Sequence, residues 1–169
     1  MGGRPGRRNS NSPPDAKPVR CAKAVETFFN MEVSKEILKE IVDQLDGGFK
    51  VYFNIGSHEI VSFPDKDKGF DIDTVWKDEI DKVYRNIKKY IEIEQLSSRE
   101  SYQMMEDFIY TIKDKNISTK LIQAIGGHKP FANFKHQIDQ LESSRKKWFE
   151  FKEYKLMEYV KKQLKFESP

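Results

Sequence analysis

The sequence predicts an α+β domain in which a small three-stranded antiparallel sheet is packed by several helices and the C-terminal half is all-helical. Three observations carry that expectation. Two short runs, Phe49–Asn54 and His58–Phe63, are joined by a connection containing Gly56, which reads as a β-hairpin with a loop longer than two residues. A third run, Tyr90–Glu94 (YIEIE), alternates with period two and reads as the third strand. Beyond it, apolar residues recur at helical spacing between capping and glycine stop signals. The order helix, hairpin, helix, strand, then helices gives α+β.

The chain begins with a different kind of sequence. Residues 1–23 are rich in Gly, Pro, Ser, Asn and Arg and have almost nothing apolar to bury. Such a segment cannot recover the entropy of ordering, so residues 1–30 are expected to be a disordered basic tail and residues 31–169 a single domain. Met31 is a plausible alternative start. The whole chain, 169 residues with 37% hydrophobic and 34% charged content, suits one domain rather than two.

The first helix is expected from Ser34, its N-cap, to about Asp46. Ile37, Leu38, Ile41, Val42 and Leu45 share one face, and Gly47-Gly48 stops it. In the hairpin, Phe49, Val51 and Phe53 alternate with polar or amphipathic neighbours, and Pro64 ends the second strand. A second helix opens at Asp73 or Thr74, with Trp76, Ile80, Val83, Tyr84 and Ile87 on a 3.6-residue stripe. Ser97 and Glu100 form a capping box for a third helix carrying Tyr102, Met105, Phe108, Ile109 and Ile112. A short helix at about Ser118–Ile125 is closed by Gly126-Gly127, the pair expected to supply a left-handed cap. Pro130 sits in the first turn of the next helix, where Phe131, Phe134, Ile138 and Leu141 form one stripe. After a polar link, Glu142–Lys147, the last helix covers roughly Ser144–Lys165 with Trp148, Phe149, Leu156, Val160 and Leu164 apolar. Phe131, Phe134 and Trp148 are expected to form a shared cluster joining these last two helices.

Composition limits the function classes. No apolar run approaches the ~20 residues that span a bilayer, so no membrane is expected. The single Cys21 forms no intramolecular disulfide framework, which fits a reducing, cytoplasmic setting. The formal net charge is +3, but residues 1–23 hold six basic groups against Asp15 alone. The remaining 24 basic and 26 acidic residues leave a nearly neutral body, with signs mixed along every segment.

Chemistry-bearing motifs are few. His58, His128 and His136 lack the companions of a zinc site, and a lone histidine is most often a surface or capping residue. No catalytic residue, cofactor or metal site is assigned. Asp65, Asp67, Asp71 and Asp73 alternate like calcium ligands, but the glycine and closing glutamate of an EF-hand loop are misplaced. Glu106-Asp107 are adjacent on a helix and diverge by ~100°, so they form no carboxylate dyad. The last helix interleaves Arg145, Lys146, Lys147, Lys152, Lys155, Lys161, Lys162 and Lys165 with aromatics, but its glutamates dilute the charge and favour a solvated face.

Three stretches together resemble a bacterial family known as uncharacterised protein family 0158: the hairpin ending Glu59-Ile60-Val61, the helix Met105-Glu106-Asp107-Phe108-Ile109, and Gly126–Lys135 (GGHKPFANFK) followed by Trp148-Phe149-Glu150-Phe151. The resemblance covers roughly residues 33–165. It departs from the family at Asn133, where members often carry a basic residue, and in the charged insert around Lys66–Gly69. It implies a small bacterial cytosolic protein and brings no catalytic residues with it.

The residues point first to a non-enzymatic interaction or regulatory domain with an unidentified protein partner. Its candidate surface is Gly127, His128, Lys129, Phe131, Phe134 and Lys135 together with Trp148, where aromatics and bases surround a tight turn. The alternative is a nucleic-acid-associated protein using the basic tail and the last helix. An enzyme with a site built from dispersed acids and His128 is a third choice.

Overall fold

The computed structural model describes residues 33–65 and 75–166. The expected tail with Cys21 and Met31, the Lys66–Gly69 insert, and Asp67, Asp71 and Asp73 lie outside the described residues, as does the expected start of the second helix at Asp73 or Thr74.

Helix α1 spans Lys35–Asp46 and begins where expected, the Ser34 side chain accepting from the Ile37 amide. Leu38, Ile41, Val42 and Leu45 are buried on one face. The helix stops at Gly47, and Gly48 takes the left-handed conformation (φ 82°) that turns the chain into the sheet.

Strands β1 (Phe49–Asn54), β2 (Ile60–Pro64) and β3 (Tyr90–Ile93) form an antiparallel sheet in the order β2-β1-β3. Val51 pairs with Ser62 on one side and Ile93 on the other. The hairpin loop is held by Asn54, whose Oδ1 accepts from the amides of Gly56 and Ser57 at 3.0 and 3.1 Å. His58, expected at a strand start, instead sits in the loop at φ 58°, its ring stacked on Phe53. The strand therefore begins two residues later, and Pro64 is its last residue rather than a breaker.

Alternation in β1 is weaker than the pattern implies because both faces are covered. Val51, Tyr52 and Phe53 are all buried. On the Tyr52 face, Tyr52, Val61, Phe63, Val83 and Tyr90 cluster beneath helix α2 (Lys77–Arg85), with Trp76 and Ile80 packed against them. On the opposite face the sheet meets α1. Helix α2 is shorter than expected, and its stripe is narrower: Tyr84 is exposed, and Ile87 is exposed in a following 3-10 turn, Ile87–Lys89.

The helical half contains α3 (Ser98–Thr111), α4 (Lys115–Ile125), α5 (Pro130–Asp139) and α6 (Glu142–Phe166). The Ser97–Glu100 capping box is present: the Ser97 side chain accepts from the Glu100 amide, and the Glu100 carboxylate accepts from the Ser97 amide at 2.8 Å. Helix α4 starts three residues before the expected Ser118, because Asp114 Oδ1 accepts from the amides of Asn116 and Ile117. Helix α6 starts at Glu142, so the expected polar link Glu142–Lys147 is its first turns.

Met105, Phe108, Ile109, Leu121, Ile125, Phe134 and Ile138 make the core of this half, with Tyr102, Ile112, Ile117, Trp148 and Phe151 packed against it. Helix α6 reaches back to the first half. Lys152 pairs with Asp46 of α1, and the Gln163 amide brackets the chain just after β3, accepting from the Glu94 amide at 2.8 Å and donating to the Glu94 carbonyl at 3.1 Å.

Candidate functional site: the α4–α5 face

Helices α4 and α5 are joined by the four-residue turn Gly126–Lys129. Leu121 and Ile125 of α4 and Phe134 and Ile138 of α5 are buried at i, i+4 spacing, which fixes how each helix presents its other side to water. The Asn133 amide ties the arrangement together, donating to the His128 carbonyl at 2.8 Å and the Ala124 carbonyl at 3.4 Å.

The turn does not work as the glycines suggest. Gly126 is right-handed (φ −74°), and Gly127 is not among the residues at positive φ. The left-handed residue is Lys129, at φ 56°. A β-carbon at Gly127 would meet nothing within 4 Å, so neither space nor backbone requires glycine there.

The predicted site residues divide into three groups. Phe134 and Trp148 lie on the core side, their rings edge-to-face with centroids 4.8 Å apart, and both also contact the Phe108 ring. Phe131 is not part of that cluster. It is 44% exposed because it lies in the first turn of α5, beyond the end of the buried Phe134–Ile138 line and ~60° around the helix from Phe134. Lys135, four residues on, shares that exposed flank. His128 and Lys129 are exposed in the turn.

A feature that carries no sequence motif lies on the other flank. Lys120, Gln123 and Ala124 of α4 and Asn133, His136 and Gln137 of α5 line a shallow groove of about 520 Å³ between the helices. The surrounding charge is one-sided. From Lys115 to Ile138 the chain carries Lys115, Lys120, Lys129 and Lys135 with His128 and His136, and no Asp or Glu. At the chain's average density, 27 acids in 169 residues, a stretch of this length would hold about four. Signs are therefore not mixed along every segment of the body: this stretch carries +4, and the other residues of 24–169 hold 20 basic and 26 acidic groups.

All four lysines are exposed, and among the described residues none takes part in an ion pair. Helix α6 differs. Arg145 pairs with Asp139, Lys146 with Glu150, Lys152 with Asp46, Lys155 with Asp107 and Lys161 with Glu158. Five of its eight bases thus serve internal contacts.

The remaining candidates sit apart. Asp107 accepts from Lys155 and Gln103, which hold its carboxyl below the ordinary range. Glu59 is held low by the Lys82 ammonium and also accepts from the Tyr90 hydroxyl. Asp65 pairs with Lys50 at 3.2 Å. Among the described residues no group of three His, Cys, Asp or Glu side chains is placed to hold a metal ion, and no helix is long and apolar enough to cross a membrane.

Comparison with known proteins finds no matching curated protein and no matching solved structure. A family model does match, over residues 36–168, and that span covers α1 from its second residue, the whole sheet and all of the α4–α5 face. The chain belongs to the Uncharacterised protein family (UPF0158).

Proposed function

We propose that this protein is an interaction domain that engages an anionic partner through the exposed face of α4, the Gly126–Lys129 turn and α5. The observation that carries the proposal is the acid-free stretch Lys115–Ile138 folded into two adjacent helices. Folding places its four lysines on one helical hairpin with no acid between them in the sequence, so that part of the surface carries a positive field. Phe134, Ile138 and Trp148 support the face from beneath, which makes it a rigid platform.

Retention of the full chain on immobilised heparin, a generic polyanion, tests this. Lys120→Glu with Lys135→Glu should elute at clearly lower salt than the parent. Lys88→Glu with Lys162→Glu changes net charge equally at exposed positions elsewhere and should elute much closer to the parent. Equal effects of the two pairs would show that only net charge matters and would end the proposal.

A further inference from the structure

The groove between α4 and α5 carries more than charge. Its lining combines one ammonium (Lys120), one imidazole (His136) and three side-chain amides (Gln123, Asn133, Gln137). Gln123 and Gln137 each present a donor and an acceptor side by side, the pairing that matches the edges of unpaired bases. Asn133, whose NH2 serves the Ala124 and His128 carbonyls, offers its oxygen. Lysines beside such groups neutralise a phosphate backbone without regard to sequence.

We infer that the anionic partner is a single-stranded nucleic acid lying along the α4–α5 groove; this rests on the binding face proposed above. The groove's lining runs over about one turn of each helix, roughly 6–7 Å, enough to seat part of one extended strand that continues along the helix pair. Lys120 lines it, Lys129 stands in the turn between the two helices, and Lys135 lies beside Phe131 on the other flank of α5, where a strand leaving the groove would pass. A protein partner with an acidic surface would meet the same lysines but has no need of three amides beside them. Phe131, exposed one flank away near Lys135, offers an aromatic face to a base leaving the groove.

Fluorescence anisotropy with the full chain tests the inference. The probes are labelled single-stranded RNA and DNA of about 16 nucleotides, the upper end of common site sizes, and a duplex of the same length. Poly-glutamate serves as the acidic-protein competitor. The single strands should bind at least about fivefold more tightly than the duplex, since only unpaired bases offer their Watson–Crick edges. Lys120→Glu with Lys135→Glu should weaken single-strand binding about tenfold and flatten the salt dependence by roughly 1.4, or ~0.7 per lost phosphate contact. Gln123→Ala with Gln137→Ala should weaken it about threefold and leave the salt slope unchanged, a response that general electrostatics would not give. Tighter binding to duplex overturns the single-strand assignment. Poly-glutamate binding that depends on Lys120 and Lys135, with none to nucleic acid, overturns the nucleic-acid partner and leaves the binding face standing. Loss of binding to every polyanion removes both.

Discussion

Phe134 of α5 and Trp148 of α6 meet edge-to-face, ring centroids 4.8 Å apart at an interplanar angle of 70°. This contact joins the helix that carries the proposed binding face to the longest helix of the fold. Phe134 is 3% exposed and also meets Phe108. Truncating it removes a buried ring whose space its neighbours cannot fill.

Phe134→Ala should therefore cost ~3–5 kcal/mol, and Phe131→Ala, at a site 44% exposed, under ~1 kcal/mol. Urea unfolding followed by tryptophan fluorescence reads both, since Trp148 reports on the cluster. Equal costs would mean that Phe131 is buried after all.

The turn makes a contrary prediction for residues that look interchangeable. Gly127→Ala should be neutral or stabilise by up to ~1 kcal/mol, because the alanine fits and narrows the unfolded ensemble. Lys129→Gly should stabilise by up to about 1 kcal/mol, because a lysine at φ 56° bears the left-handed penalty. Thermal melts of the two variants check this. A destabilised Gly127→Ala would place the left-handed residue at Gly127 instead.

Much of this fold is legible in the sequence where a residue type has one physical use. Ser97 with Glu100, Gly48 after a helix, and Pro130 at a first turn each name their position. The Asp114 cap is of the same kind, although the apolar pattern of α4 points to a later start. Other features depend on tertiary context. Tyr52 is buried because α2 covers the second face of the sheet, which no alternation in β1 can announce. Burial, and then the nearby Glu92 charge, push its hydroxyl pKa up. The acid-free stretch 115–138 was hidden for a simpler reason: charge summed over the whole body averages it against acidic surroundings.

The capping box gives a third prediction. Ser97→Ala and Glu100→Ala should each cost about 1 kcal/mol or less, and the double variant less than their sum. A double-mutant cycle measures the coupling; strict additivity would mean that the two hydrogen bonds form independently.

Asp107 bridges α3 to Lys155 of α6, and its folded carboxyl titrates below the ordinary value. The depressed value sets the sign. The contribution is present above the unfolded pKa of ~3.9 and is lost as pH falls through the lower folded value. Both partners are 37% exposed, so screening limits the bridge to under ~1 kcal/mol. Asp107→Asn should therefore lower Tm by no more than about 2–4 °C at pH 7, and the gap should close in strong acid. A gap that persists below pH ~2 would assign the effect to packing rather than charge.

The most direct test of the binding face is an amide chemical-shift map of the full chain titrated with a single-stranded oligonucleotide. The side-chain amides of Gln123, Asn133 and Gln137 should shift first, with backbone amides of Lys120, His128, Lys129 and Lys135 following. Shifts confined to α6 or to residues 1–30, with the α4–α5 amides unmoved, would contradict the account.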